Sequence, residues 1–418
     1  MTINDLRGKT VALASSGGLD SCTVTKWMVD RGVRVLSLTA DIGQPDEIDM
    51  EDIRKRMLTC GAAEAALVDL KKDLAETAVS LLIAQARYEG GYWNTTGIAR
   101  HVTTRGLLQE MKKRDVGVLV HGATGRGNDQ VRFQIVANML KPSVTVYAPW
   151  RDSAYLDMFG GRKEMIDYCL MHHLPITATY DKPYSTDANF LGLTHEAGKL
   201  ESLAVAADFI EPGMGVFPAQ APDRAELFSL RLEKGRPVAI DGVAVDSLNA
   251  ILKANEVGGR NGVGIGIHTV ENRFVGIKSR GVYESPGLCL LSECYEFLLQ
   301  QVIDRRARRF FTAISAQIAE QIYQGYYYDL ASQMMRNALA PVANLLSGEV
   351  TVAAYKGTVT FKSSKDVTHS LYSEETASME DVGDYDHRDS EGFLNVLGVS
   401  AKAEHAAGQI EKDLLSGI

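Results

Sequence analysis

The stretch Ala14-Ser15-Ser16-Gly17-Gly18-Leu19-Asp20-Ser21-Cys22-Thr23 follows the apolar run Val11–Ala14 and leads into Ser21–Arg31, a segment with helical spacing. Two adjacent glycines between hydroxyls at a strand-to-helix turn offer an anion backbone N–H groups, hydroxyl donors and the positive end of a helix. Asp20 would repel that anion unless a cation sat between them, so Mg²⁺ bridging follows from the charge. The dinucleotide fingerprint Gly-x-Gly-x-x-Gly and the Walker sequence Gly-Lys-Ser/Thr are both missing from this turn. Taken alone, the stretch is either a phosphate cradle or an ordinary βα turn with an acid near the helix start.

Working outward, Val33–Thr39, Ala66–Val68, Val116–Val120 and Val144–Tyr147 read as further strands. Met50–Cys60 and Leu74–Ala86 read as helices between them. Strand–helix–strand repetition implies right-handed crossovers and a parallel sheet covered on both faces, an α/β class. Ligands of such sheets bind beyond the carboxyl ends of the strands, which is where the opening stretch lies. After about Pro175 prolines punctuate the chain, and glycine-rich alternation at Gly258–Ile267 and Phe274–Val282 suggests an α+β region. The glycines between Asn255 and Ser285 fit a regular helix poorly and suggest a loop floor close to a ligand. Leu290–Tyr328 is helical in spacing, Glu349–Ser363 reads as a hairpin turning at Lys356-Gly357, and Ser400–Leu415 as an amphipathic helix packing on another subunit.

The 418 residues carry a net charge of −9 and are 45% hydrophobic, a length for two or three domains. Arg305-Arg306-Ala307-Arg308-Arg309 is the tight basic cluster, and inside a helix it reads as a solvated face or subunit contact, so no nucleic-acid partner is expected. The five cysteines are scattered without a Cys-x-x-Cys pair, which argues against a disulfide framework or zinc site. With no targeting segment or membrane-length apolar run, a cytoplasmic protein without membrane partners is expected.

Ser16-Gly-Gly-Leu-Asp-Ser21 resembles the pyrophosphate loop of the N-type ATP pyrophosphatases. His121-Gly-Ala-Thr-Gly-Arg-Gly-Asn-Asp-Gln-Val-Arg-Phe133, Ala148-Pro-Trp-Arg151, Tyr92 with Thr96 and Arg100, Glu196-Ala-Gly198, and Val270–Glu284 are similar, in the same order, to segments of the argininosuccinate synthase family. Ser370-Leu-Tyr372 and Glu391-Gly-Phe393 extend the likeness towards the C-terminus. The resemblance implies an N-type ATP pyrophosphatase domain over 1–172, an α+β synthetase domain over 173–365 and a C-terminal oligomerisation arm over 366–418, assembled as a homotetramer. It implies ATP with Mg²⁺, and ligation of citrulline to aspartate through a citrullyl-adenylate.

The same likeness assigns residues. Ala14, Ser16, Gly17, Gly18, Asp20, Ser21, Cys22, Ala40, Gly122, Thr124, Asp129 and Asp187 match ATP positions. Tyr92, Thr96, Asn128, Arg132, Ser185, Thr194, Glu196, Glu271 and Tyr283 match citrulline positions, where Arg132 can grip a carboxylate with two parallel hydrogen bonds. Thr124, Asn128 and Asp129 match aspartate positions, and Asp20, Asp129 and Arg132 are the candidates for catalysis. His121 is either a satisfied core imidazole or a phosphate contact.

Some positions depart from the family. Ser21-Cys22 replaces Thr-Ser after the loop acid, and Cys22 is then a tolerated near-isostere or a reactive thiol at a helix N-terminus. Gly97 replaces a serine and Asp41 an asparagine. Two other functions therefore remain open: a relative that activates a different ureido or carboxyl substrate or uses a different amine, and an ATP-binding scaffold without turnover.

Overall fold

The computed structural model describes residues 1–47, 49–176, 184–380 and 386–411. Strands β1 (Thr10–Ala14), β2 (Arg34–Asp41), β3 (Glu64–Asp69), β4 (Val118–His121) and β5 (Thr145–Tyr147) form a parallel sheet in the order β3-β2-β1-β4-β5. They are joined and covered by α1 (Leu19–Val29), α2 (Met50–Thr59), α3 (Lys71–Ala84), α4 (Thr95–Lys113), α5 (Asp129–Leu140), the single turn α6 (Ser153–Leu156) and α7 (Arg162–Met171). Alternation along β1 sends Leu13 to one face, with Trp27, Tyr155 and Ile166, and Ala12 to the other, with Leu107, Met111 and Ala137. The chain leaves β1 towards β2 and returns on the far side as β4. That reversal opens a crevice at the carboxyl ends of β1 and β4.

The remainder holds β6 (Ser185–Asn189), β7 (Gly192–Glu196), β8 (Glu226–Glu233), β9 (Arg236–Ile240), β10 (Val243–Ala244), α8 (Ser247–Arg260), β11 (Ile265–Asn272) and β12 (Lys278–Glu284). They are followed by α9 (Pro286–Val302), α10 (Arg305–Gln324), α11 (Leu330–Leu345), β13 (Gly348–Tyr355) and β14 (Thr358–Lys365). Two antiparallel sheets result, β11-β12-β7-β6 and β10-β9-β8-β13-β14. Met1–His369 is one compact unit, and its largest apolar core runs from Leu74 and Ile98 to Phe228, Leu291, Ile318 and Val352. The parallel sheet and the antiparallel sheets thus share buried surface. Among the described residues no helix is long and apolar enough to cross a membrane.

Several expectations need correction. No helical spacing marks Thr95–Lys113, yet α4 is there, buried on most sides with Thr95, His101, Thr103, Thr104 and Gly106 among its buried residues. A helix enclosed by neighbours has no polar stripe to betray its period. The glycines of 255–285 do not form a loop floor: Gly258 and Gly259 close α8, and the rest belong to or flank the β11–β12 hairpin. A Cβ on Gly259 would fall 2.1 Å from the Met214 carbonyl oxygen, and one on Gly258 2.6 Å from that of Pro286, so the glycines serve close backbone packing.

The second unit, Ser370–Ile418, contains α12 (Glu374–Ala377) and α13 (Arg388–Ala406). The helix expected over Ser400–Leu415 therefore begins earlier and ends earlier, at Ala406, and its expected residues beyond 411 lie outside the described residues. Phe393, Leu394, Val396, Leu397 and Val399 of α13 are all exposed.

Candidate functional site

The opening stretch forms the turn between β1 and α1. Gly17 has φ of +73°, and a Cβ there would meet Ile53 Cγ2 at 2.8 Å, so both conformation and space require glycine. Arg56 Nη1 donates to the Gly17 carbonyl at 2.8 Å, and the Ser16 N–H donates to Ser21 Oγ at 2.9 Å. Ser16 is exposed, while Gly18 and Asp20 are half-buried at the start of α1. Asp20 Oδ1 accepts from Trp150 Nε1 at 3.1 Å. Burial pushes the Asp20 carboxyl above its usual range, against the opposing pull of Trp150 and Arg162. Gly122, just past β4, lies so close that a Cβ on it would be 3.2 Å from Asp20 Cβ.

The β4–α5 connection then carries the chain from this turn into a second cluster. Asn128 is the N-cap of α5 and Asp129 and Arg132 lie in its first turn. Arg132 is 4% exposed, Nη1 donating to Asp129 Oδ1 at 2.8 Å and Nε to the Tyr323 carbonyl at 2.9 Å. Arg100 of α4 bridges two acids, Nε to Asp129 Oδ2 at 2.8 Å and Nη2 to Asp187 Oδ2 at 2.7 Å. Burial alone would raise the Asp129 carboxyl, but Arg100 and Arg132 hold it down at about 2. Two cations and two carboxylates are thus matched in number. Because Nε of Arg132 is taken by the Tyr323 carbonyl and one Nη1 hydrogen by Asp129, a ligand carboxylate would meet Nη2 and the other Nη1 hydrogen. Nη2 lies over Gly97, where a Cβ would be 3.5 Å away.

The β11-β12-β7-β6 sheet forms the wall beside this cluster. Its register sets Asp187 opposite Thr194 and Thr194 opposite Tyr283, with Ser185 opposite Glu196 in the next row of that face. Tyr283 Oη donates to Glu271 Oε2 at 2.8 Å and its ring stacks on Tyr92 with centroids 3.9 Å apart. Burial first, then Glu271, push the Tyr283 phenol well above its usual range, so it stays a donor. Tyr92 Oη accepts from the Thr96 N–H at 3.1 Å, and Thr96 Oγ1 lies 3.3 Å from Thr194 Oγ1. Asn128 Oδ1 accepts from the Phe274 N–H at 3.0 Å, tying the β4–α5 connection to the β11–β12 turn. Glu196 faces Arg273 Nη2 at 3.0 Å, and burial pushes its carboxyl up against that cation.

Asp129, Arg132, Asp187, Thr194, Glu196, Glu271, Tyr283, Tyr92, Thr96 and Asn128 are therefore linked by direct contacts or sheet register, with Ser185 exposed at the edge. Thr124 lies between Gly122 and Asn128 and accepts from the Gly127 N–H at 3.3 Å. Ala14 and Ala40 sit at or near the ends of β1 and β2. The Cys22 side chain instead points into the core, its Sγ 3.6 Å from the Gly17 carbonyl. Cys22 is fully buried, and the neighbouring Cys60 and burial push its thiol far up, the opposite of the environment a reactive thiol needs. His121 is not a satisfied imidazole: it is buried against Phe133, and neither ring nitrogen has a partner among the described residues. Burial and Arg151 pull it down to about 3, so it is neutral. Sequence reasoning gave no role to Trp150, Arg100 or Tyr323. The first two lay within the quoted motifs, but Tyr323 acts through its carbonyl, which leaves no signature in a sequence.

Among the described residues no group of three or more His, Cys, Asp or Glu could hold a metal ion. The single Asp20 carboxylate beside the β1–α1 turn would suit a cation that arrives with a polyphosphate and takes most of its ligands from it.

Two family profiles match the chain: the arginosuccinate synthase N-terminal HUP domain over residues 10–175 and the arginosuccinate synthase C-terminal domain over 184–404. The argininosuccinate synthase of Rhodopirellula baltica is 40% identical over 398 residues, covering 95% of this chain and 98% of that protein. The Thermotoga maritima enzyme is 36% identical, with 94% and 96% covered. That of Xenopus laevis is 34% identical over 405 residues, with 95% and 97% covered. With both profiles matched in order and relatives aligned over nearly their whole length, the chain belongs to the argininosuccinate synthase family, ATP-using ligases that form carbon–nitrogen bonds.

Proposed function

We propose that the chain joins citrulline to aspartate with ATP, giving argininosuccinate, AMP and pyrophosphate. The observation that carries this reading is one connection, β4 to α5. It touches the phosphate turn at Gly122 and reaches the amino-acid cluster at Asn128, Asp129 and Arg132. A ureido carbon is a poor electrophile, so its oxygen must first become a leaving group. The ureido oxygen of citrulline attacks the α-phosphorus and the bond from that phosphorus to the β-phosphate oxygen breaks. The α-amine of aspartate then attacks the ureido carbon, the carbon–oxygen bond to AMP breaks, and the nitrogen loses a proton.

In this scheme Ser16, Gly17, Gly18 and Ser21 hold the departing pyrophosphate, and Asp20 would hold Mg²⁺, which neutralises phosphate charge. Ala14, Ala40 and Gly122 line the nucleotide. The end of Arg132 and Asn128 take citrulline's carboxylate, with Tyr92, Thr96, Ser185 and Thr194 beside it. Glu196, Glu271 and Tyr283 answer its ammonium and ureido groups. Thr124, Asn128 and Asp129 take aspartate, with Asp187 near the phosphates. Rate enhancement comes from positioning and charge matching, because the protein forms no covalent bond to substrate.

The exposed apolar side chains of α13 fit burial against other copies in a cytoplasmic homotetramer. The test is pyrophosphate release with ATP and Mg²⁺, with citrulline and aspartate added singly and together. Argininosuccinate should appear only with both, and citrulline labelled with heavy oxygen at the ureido position should pass its label to AMP. Product with another amine in place of aspartate, or label retained in the condensed product, would overturn the scheme.

A further inference from the structure

β2 ends at Ala40-Asp41 and runs into the turn Ile42-Gly43-Gln44, whose last side chain folds back on the strand end. Pairing between β1 and β2 closes at Ala14 and Leu38, and the Ser15 N–H donates to the Leu38 carbonyl at 3.0 Å. Two residues farther along, Ala40 presents its carbonyl on that same side, past the end of β1. Just beyond β2, the Ile42 carbonyl accepts from the Phe190 N–H at 3.1 Å, which leaves its N–H to the turn. This end of β2 lies at the crevice at the carboxyl ends of the strands. There the Gln44 carboxamide caps the Ala40 carbonyl and the Ile42 N–H. Its Nε2 donates to the Ala40 carbonyl at 3.0 Å, and the Ile42 N–H donates to its Oε1 at 3.0 Å. Gly43, with φ of +62°, and Asp41 Oδ1, which accepts from the Gly43 N–H at 3.1 Å, shape the turn that brings Gln44 back over the strand.

A carboxamide sets an N–H donor beside an acceptor. The amino edge of adenine sets out the same pair, its exocyclic amine beside an unprotonated ring nitrogen. Guanine and hypoxanthine invert it, with a carbonyl beside a ring N–H. We propose that Gln44 is a placeholder for the purine: in the free protein it occupies the Ala40 carbonyl and Ile42 N–H that the amino edge of adenine takes when ATP binds. This inference rests on the ATP site proposed above. The nucleotide must displace the side chain, so its apparent affinity is lowered by the share of molecules in which Gln44 is seated. Selection of adenine lies in the backbone, with Gln44 as its competitor.

Gln44→Met keeps the length of the side chain without either hydrogen-bonding group, and Gln44→Ala removes it beyond Cβ. Calorimetric titration of the full chain with ATP, ITP and inorganic pyrophosphate, each with Mg²⁺, reads the effect. Both variants should bind ATP about five-fold tighter, the scale of losing one or two competing hydrogen bonds. Pyrophosphate affinity should not change, and ITP should stay weaker than ATP and not tighten. ATP binding that is unchanged or weaker in both variants, with pyrophosphate unaffected, overturns the inference and leaves Gln44 as a prop for the turn. Equal tightening of ITP overturns it as well. If the parent chain binds neither ATP nor pyrophosphate, the ATP site itself fails and the inference with it.

Discussion

Asp20 and Asp129 are both acids in the site, and their surroundings drive them in opposite directions. An acid whose pKa is raised by folding stabilises the folded state in its neutral form. That contribution is present below the ordinary aspartate range and is lost as pH rises through the folded value. Asp20 is of this kind. Asp20→Asn should therefore be more stable than the parent near neutral pH and equal to it in acid, while turnover is abolished. Thermal unfolding across pH together with a pyrophosphate assay checks both halves, and a less stable variant at neutral pH would refute the first. Asp129, held at about 2, contributes above the ordinary range, and its contribution fades as pH falls from that range towards the folded value. Asp129→Asn should cost about 2 kcal/mol near neutral pH, with a gap to the parent that narrows as acid is added. Urea unfolding at several pH values measures this.

Among the elements, the β11–β12 hairpin and α8 depend on glycines placed where another backbone or ring comes close. A Cβ on Gly281 would lie 2.4 Å from Tyr283 Oη, so the absent side chain lets the Tyr283 ring fold along β12 towards Glu271. Gly281→Ala should push the ring off that carboxylate and raise the KM for citrulline by about ten-fold, with a smaller change in kcat. An unchanged KM would separate Tyr283 from citrulline. Gly259→Ala places a methyl against the Met214 carbonyl and should cost about 2 to 3 kcal/mol without altering affinity for any substrate. The length of β2 matters in the same way: it runs to Asp41, two residues beyond the expected Thr39, and carries Ala40 to the crevice.

For the whole molecule, the compact unit ends at His369, and α13 buries none of its own residues within the chain. A chain truncated after His369 should keep a cooperative unfolding transition but sediment as a smaller species than the full chain. Identical sedimentation would remove α13 from the assembly. The tight basic run opens α10, with Asp304 capping its first turn and Arg308 paired to Glu296 at 2.7 Å.

Legibility followed range. The Ser16–Ser21 turn, the strand–helix alternation that implies a parallel sheet and the Lys356-Gly357 hairpin are local patterns readable from spacing, whereas the strand order that sets β4 beside β1 is not. α4 escaped because enclosure erases amphipathic period, and the union of Arg100 with Asp129 and Asp187 spans separations of 29 and 87 residues. Sequence alone also left Cys22 open as a reactive thiol and His121 as a satisfied imidazole. The Cys60 neighbour and burial answered the first, and the lack of a partner for either ring nitrogen among the described residues answered the second. Both depend on what the fold packs around a side chain, which no local stretch of chain contains. What the linear chain determined by itself was a glycine turn between a strand and a helix with hydroxyls and an acid beside it; what the packed structure decided was which charges face each other, through contacts that fold the two halves of the chain together.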